Sequence, residues 1–104
     1  MENYKVEVLP EANNDIDEIF DYILLDNPEA AYNMMDKIFS NLEQLTSFPK
    51  LGNKLDHKLI KYYEFRMLNI DPYVAFYRIM NNTVYIYRIL HGARDYIKIL
   101  KDDK

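Results

Sequence analysis

The chain has 104 residues and a hydrophobic fraction of 49%, which suits a single folded domain spanning residues 1–104 and excludes a disordered segment. It has no cysteine, so disulfide frameworks and thiolate metal sites are excluded. The net charge of −4 hides an asymmetry: residues 1–49 carry 2 lysines against 11 acids, a balance of −9, while residues 50–104 carry 11 Lys and Arg against 6 acids, a balance of +5.

All four arginines and both histidines lie in the second half. Such polarity suits a molecule with one face directed at an anionic partner, although Lys50, Lys54, Lys58 and Lys61 read more readily as solvating a loop. No apolar run approaches the roughly 20 residues of a membrane helix. Met1–Lys5 shows no basic region followed by an apolar stretch, so no secretory signal is read and the expected location is cytoplasmic, without membrane contact. The two histidines stand 34 positions apart and form no ligand motif, so neither a metal nor a cofactor is expected.

Tyr4 to Leu9 alternates apolar and polar residues and stops at Pro10, the pattern of a short strand with one buried face. From Glu11 to Leu25 the period changes. Ile16, Ile19, Phe20, Ile23 and Leu24 make a helical stripe, with Asp15, Asp17, Glu18 and Asp21 on the solvated side. Those acids do not converge on a pocket as a magnesium site requires. Asn27-Pro28 caps and restarts a helix, along which Ala31, Met35, Ile38, Leu42 and Leu45 repeat up to Ser47. Met34, Met35 and Phe39 read as core. The short connection makes the two helices an antiparallel hairpin.

Lys50 to Lys61 shows no period and reads as an exposed connection. Tyr62 to Ile70 alternates again, with Tyr63, Phe65 and Met67 on one side and Glu64, Arg66 and Leu68 on the other. Asp71-Pro72 is a turn, Tyr73 to Met80 a strand, Asn81-Asn82 a two-residue hairpin turn, and Thr83 to His91 the last strand. That turn pairs Ile79 with Val84, Tyr77 with Ile86 and Ala75 with Arg88. One face then holds Ala75, Tyr77, Ile79, Val84, Ile86 and Leu90, with Arg88 towards its end. The other holds Val74, Phe76, Arg78, Tyr85, Tyr87, Ile89 and His91, and mixes aromatics with cations as a binding groove would. A short helical tail is expected from Ile97. The fold class is α+β: an N-terminal strand, an antiparallel helical hairpin and a three-stranded antiparallel meander in one sheet.

No nucleophile elbow, triad, phosphate loop or dinucleotide fingerprint is present. The remaining chemistry is an Arg/His/Tyr set on the last strands: Arg66, Arg78, Arg88, His91, Arg94 and Tyr96. Metal-free RNA cleavage uses these residue types, because a base activates the 2′-OH, cations stabilise the phosphorane and an acid protonates the leaving oxygen. Tyr85 and Tyr87 could stack on unpaired bases. The same residues could instead be structural, the arginines pairing with Glu64, Asp71 or Asp95 and the tyrosines covering the sheet.

Several segments together resemble the RelE/ParE family of toxins from bacterial type II toxin–antitoxin modules. They are Val8-Leu9-Pro10-Glu11-Ala12, Asp17-Glu18-Ile19-Phe20-Asp21-Tyr22-Ile23, Asn27-Pro28-Glu29-Ala30-Ala31, Phe48-Pro49-Lys50-Leu51-Gly52, Phe76-Tyr77-Arg78-Ile79 and Tyr87-Arg88-Ile89-Leu90-His91-Gly92-Ala93-Arg94-Asp95. The resemblance covers nearly the whole chain and implies a small toxin wrapped by a cognate antitoxin, which alone would bring the complex to DNA. RelE-like members cut mRNA on the ribosome, and ParE-like members inhibit DNA gyrase. Where the cutting branch has two basic residues this chain has Glu64 and Arg66, and where that branch has an arginine after the strand-opening aromatic it has Val74. Arg94 and Tyr96 do match, and His91 with Tyr96 is similar to the His and Tyr of YoeB-like nucleases. The resemblance therefore favours a ParE-like toxin contacting gyrase through His91, Arg94, Tyr96 and Arg88. The alternatives are a ribosome-dependent mRNA endonuclease using His91, Arg94, Tyr96, Arg66 and Arg78, and a member that only binds its antitoxin.

Overall fold

The alternating segment near the N-terminus becomes β1 (Lys5–Val8), and Pro10, whose missing N–H has no partner at a first helical position, opens α1 (Pro10–Leu24). These elements belong to a computed structural model that describes residues 3–92 and 94–103. A tight turn leads to α2 (Pro28–Gln44), where the Asn27 side chain accepts the Ala30 N–H at 3.1 Å. The strands that follow are β2 (Asn53–Lys54), β3 (Arg66–Ile70), β4 (Tyr73–Met80) and β5 (Thr83–His91), and the chain closes on α3 (Tyr96–Asp103). They form one open sheet in the order β1-β5-β4-β3-β2, with β1 parallel to β5 and the other pairs antiparallel. The α+β class expected from the sequence is the one observed. Among the described residues no helix is long and apolar enough to cross a membrane.

The sheet is buried on both faces. On one face Ile16, Ile19, Ile38, Leu42 and Leu45 of the hairpin region meet Leu68, Ile70, Ala75, Tyr77, Val84, Ile86 and Ile89. On the other, Phe65, Val74, Phe76 and Leu90 are covered by Leu100 of α3 and by Leu55 and Ile60 of the long connection. Leu100 is fully buried, a contribution of about 1.5–3 kcal/mol. The second face is therefore not the open groove that its aromatics and cations suggested. The helix tail and the connection supply the cover.

Five further expectations are corrected. Residues 50–61 are not simply exposed: Gly52, Leu55 and Ile60 are buried, and Asn53–Lys54 pairs with β3. The strand expected from Tyr62 begins at Arg66, because Lys61–Tyr63 forms a 3₁₀ turn that ends on Glu64 at φ 55°. Phe39 is 48% exposed rather than core. Asp15 is buried, not on the solvated side of its helix.

The fifth correction concerns register. Asn81 and Asn82 adopt φ 51° and 63°, as a tight hairpin turn requires, and the pairing runs as expected through Tyr77↔Ile86. A bulge then inserts Tyr87, so that Phe76 faces Arg88, and Ala75 faces Ile89 rather than Arg88. One extra residue inverts the phase of the strand beyond it. Ile89 consequently joins the helix-side core and Leu90 the opposite one, the reverse of the expected assignment.

Tyr77 ties the connection to the sheet. Its buried hydroxyl donates to Pro49 O at 2.8 Å and accepts the Gly52 N–H at 2.8 Å. Gly52 must be glycine, since a Cβ there would lie 2.6 Å from Met67 O and 2.8 Å from that hydroxyl. Tyr77→Phe orphans a buried donor and acceptor together and should cost about 1–3 kcal/mol, read as a lower urea midpoint at unchanged slope. Burial holds the Tyr77 phenol above its ordinary value of 10.0, against the opposing Gly52 N–H and Arg66. The folded state thus prefers the neutral phenol. Its contribution is complete below that ordinary value and is lost as pH rises through the folded one, so Tyr77→Phe should flatten the alkaline limb of the stability profile.

Candidate functional site

Beyond Val8, β1 no longer covers the edge of β5, because the chain turns at Pro10 into α1. Asp15, one and a half turns into that helix, takes over the exposed edge. Its carboxylate accepts Arg88 Nε at 2.8 Å and Arg88 Nη2 at 2.9 Å, and also the Ile89 backbone N–H at 2.9 Å. A fork-to-fork pair of this kind is charge-assisted and directional, and both side chains are largely sequestered, at 17% and 9% exposure. The contact sits immediately after the Tyr87 bulge and fixes the height of α1 over the end of β5.

Between them a cleft of about 570 Å³ remains. Ile19, Ile89 and Leu90 supply its apolar lining, Glu18 and Tyr22 its α1 side, and Tyr73, His91 and Arg94 its sheet end. Tyr73 and His91 are cross-strand partners with ring centroids 5.9 Å apart, edge to face. Burial, and secondarily the neighbouring Tyr22, raises the Tyr73 phenol above 10.0. The Arg94 N–H returns to His91 O at 2.9 Å, turning the chain so that both side chains line the same cleft. Gly92 does not act as a left-handed hinge: it has no positive φ, and a Cβ there would meet only ordinary contacts. Ala93 of the same motif lies outside the described residues.

Of the six candidate residues, His91 and Arg94 are thus brought together, and the others are dispersed. Arg88 is engaged by Asp15. Tyr96 stacks on Phe76 at 5.0 Å and 28°, on the far face of the sheet. Arg78 lies on that far face as well, its guanidinium 5.7–5.9 Å from the rings of Tyr63, Phe65 and Tyr87, with Nη1 donating to the Tyr87 hydroxyl at 3.3 Å. Arg66 donates to Gly52 O at 2.7 Å at the edge of the sheet, holding the connection that Tyr77 also holds. Along β4 the position opposite His91 is Tyr73, five residues or about 17 Å from Arg78. The bulge adds to this separation by moving His91 to the face opposite Arg78. Among the described residues, no group of three or more His, Asp or Glu is placed to hold a metal ion.

The residues that sequence reasoning missed are Asp15, Tyr22 and Tyr73. The signal for Asp15 was present, since it falls one position before Ile16 and three after Ala12 on the buried side of the helical wheel.

The family model of the ParE toxin of the type II toxin–antitoxin system parDE matches residues 6–96. The chain belongs to the ParE toxin family. Its fold is similar to that of a chromosomal ParDE toxin–antitoxin system from P. aeruginosa, with a TM-score of 0.70 at 20% identity over 85% of this chain and 95% of that one. It is also similar to the RelBE2 toxin–antitoxin complex of Mycobacterium tuberculosis, with a TM-score of 0.59 at 20% identity over 86% and 98%. A copper-bound mutant toxin from Helicobacter pylori gives 0.53 at 14% identity over 86% and 96%. No curated protein sequence matches significantly. The ParE match runs from Val6 to Tyr96, so it spans both hairpin helices, all of the sheet but its first residue, and the cleft end of β5.

Removing one partner of the Asp15–Arg88 pair strands a buried charge. Asp15→Ala in this ParE-family toxin should cost about 3–5 kcal/mol by chemical denaturation, whereas Asp15→Leu combined with Arg88→Met should recover only part of that loss, because the Ile89 N–H is still left without its acceptor.

Proposed function

We propose that this chain is the toxin of a type II module that inhibits DNA gyrase by protein–protein contact and is neutralised by a cognate antitoxin. The observation that carries this reading is the dispersal of the Arg/His/Tyr set. A metal-free cleavage centre needs its base, acid and phosphate-binding cations within hydrogen-bond reach of one scissile group. Here Arg66 and Arg78 sit about 14–17 Å along the sheet from His91, and Arg78 and Tyr96 lie on the opposite face. The acidic Glu64 and the apolar Val74 at positions where the cutting branch is basic agree with this reading, as does the net charge of −4, since a ribosome-directed nuclease is expected to be basic. The membership of the ParE family supports the same target.

In this reading His91 and Arg94, at the mouth of the α1–β5 cleft, form the gyrase contact. Arg88 and Tyr96 hold that end in place, one through Asp15 and the other through Phe76. The chain acts in the cytoplasm as one domain. The antitoxin is a protein whose segment wraps the toxin, a partner for which the ParDE and RelBE2 complexes offer precedent in fold. Promoter DNA is reached only through that antitoxin.

Induction of the chain without its antitoxin should arrest growth and block gyrase supercoiling while translated mRNA stays intact. Arg94→Glu should relieve the supercoiling block without unfolding the chain, because Arg94 is exposed. His91→Ala should leave transcripts intact, as in the parent chain. Rapid cleavage of translated mRNA with gyrase unaffected, abolished by His91→Ala, would instead establish the endonuclease. Absence of any growth defect would establish a member that only binds its antitoxin.

A further inference from the structure

The α1–β5 cleft has a depth and a lining that a contact through His91 and Arg94 alone does not use. Its α1 wall is one side of that helix, where Asp15, Glu18, Ile19 and Tyr22 stand at i, i+3, i+4 and i+7. From Asp15 to Tyr22 the wall runs about 10 Å, or about two turns. The floor is apolar and closed, since Ile19, Ile89 and Leu90 are all buried. It is also electrically quiet, because Asp15 beside it is bound by Arg88. The walls above the floor are open. Tyr22 is 76% exposed, and Glu18, His91 and Arg94 are exposed as well. Tyr73 rises from the sheet wall against the His91 ring, and Tyr22 stands near enough to it to raise its phenol.

This shape and these charges select the occupant. Walls that stay open do not enclose a small molecule, whereas a cleft of about 570 Å³ with a buried floor admits a side chain that protrudes from a larger surface. A nucleic acid is disfavoured, because α1 carries 5 acids and no base along the wall that its phosphates would meet. The sheet wall has the other sign. Among the described residues Arg94 pairs with no carboxylate, and it shares that end of the cleft with His91. An apolar side chain with a carboxylate beside it therefore matches both the floor and the sheet wall.

We propose that the cleft is the anchor pocket of the gyrase contact: one aromatic or branched aliphatic side chain of the enzyme fills it between Tyr22 and Tyr73, and a carboxylate beside that side chain meets Arg94 and His91. This role of the cleft rests on gyrase being the target, and it specifies what the target must present. Interfaces draw most of their energy from a few anchors seated in desolvated pockets, while charges at the rim set the partner's sign and orientation. Here Tyr22 and Tyr73 give the pocket its shape, and Arg94 gives it its sign.

The test uses the purified full chain, purified DNA gyrase and relaxed plasmid. Inhibition of supercoiling is titrated for the parent chain and for three variants at exposed positions, whose unchanged urea midpoints show that they are folded. Tyr22→Ala removes the aromatic wall without changing the charge, and should raise the concentration for half-inhibition about tenfold or more. Glu18→Trp places a bulky ring at the mouth and should give a comparable loss, although a contact made by charge alone would gain from the removal of this acid. Leu25→Ala deletes a 90% exposed apolar side chain at the end of the same helix, outside the cleft, and should inhibit like the parent. If the parent inhibits and both Tyr22→Ala and Glu18→Trp match it, the pocket is overturned and gyrase stays the target. An equal loss in Leu25→Ala and Tyr22→Ala would also overturn the pocket, since the contact would then spread along α1. A parent chain without effect on gyrase would overturn the target and the pocket together. Self-association of the chain that Tyr22→Ala abolishes in sedimentation would overturn the pocket by making a second copy its occupant.

Discussion

The Asp15 carboxylate is the contact on which the rest of this molecule depends. It does three jobs at one point: it pairs with Arg88 through two bonds, it receives the Ile89 N–H at the uncovered edge of β5, and it fixes α1 against the sheet just past the Tyr87 bulge. A buried ion pair is not intrinsically a large source of stability, because desolvation of the two charges offsets much of their attraction. Its value here is positional. An apolar pair could fill the same space, but it could not accept the Ile89 N–H, and an unpaired backbone donor is costly where water is excluded. The carboxylate therefore belongs to the strand edge as much as to the arginine, and it lets a helix continue the sheet border where β1 stops.

The bulge and this contact together decide what the C-terminal end of β5 can do. Without the extra residue, alternation would place His91 on the same face as Arg78, Phe76 and Tyr87, though still far along the strands from Arg78. With it, His91 turns to the helix side and shares a cleft with Tyr73, Tyr22, Glu18 and Arg94. Arg78 stays behind among three rings, where its charge is balanced by aromatic faces rather than by an acid. The cations of the second half are thus spent on separate tasks: Arg88 on α1, Arg66 on the Gly52 carbonyl, Arg78 on the aromatic box. Of the four arginines, Arg94 is the one fully given to the surface.

Much of this was legible in the sequence. The hairpin helices, the Asn27-Pro28 restart and the Asn81-Asn82 turn each rest on local chemistry, namely a 3.6-residue stripe, a capping side chain and two residues that tolerate positive φ. The bulge was not legible, because nothing in Tyr85-Ile86-Tyr87-Arg88-Ile89-Leu90 distinguishes a strand that runs straight from one that gains a residue. Both phases bury an aliphatic side chain, Ile89 or Leu90, on either face. Asp15 was misassigned for a related reason. A carboxylate on the buried side of a helix is read as solvated unless its partner is known, and that partner lies 73 residues away. The connection at 50–61 looked featureless because its order comes from Tyr77 and Arg66 binding its backbone, which leaves no periodicity in its own side chains.

The charge asymmetry finally acquires a spatial meaning. The acidic half of the chain is the helical hairpin, and it keeps its charge on the outside because the one acid buried among the described residues, Asp15, is matched by an arginine from the sheet. The basic half is the sheet and the long connection, with Lys50, Lys54, Glu64 and Arg66 around a hollow at the β2–β3 edge. Strong fields of opposite sign on opposite sides of a small domain do little for its stability, since exposed charges at these separations are screened within about 8–10 Å. They act instead on encounter, favouring one orientation of approach for each partner. The acids of the hairpin and the lysines around the β2–β3 edge thus give this ParE-family chain two surfaces that differ in sign.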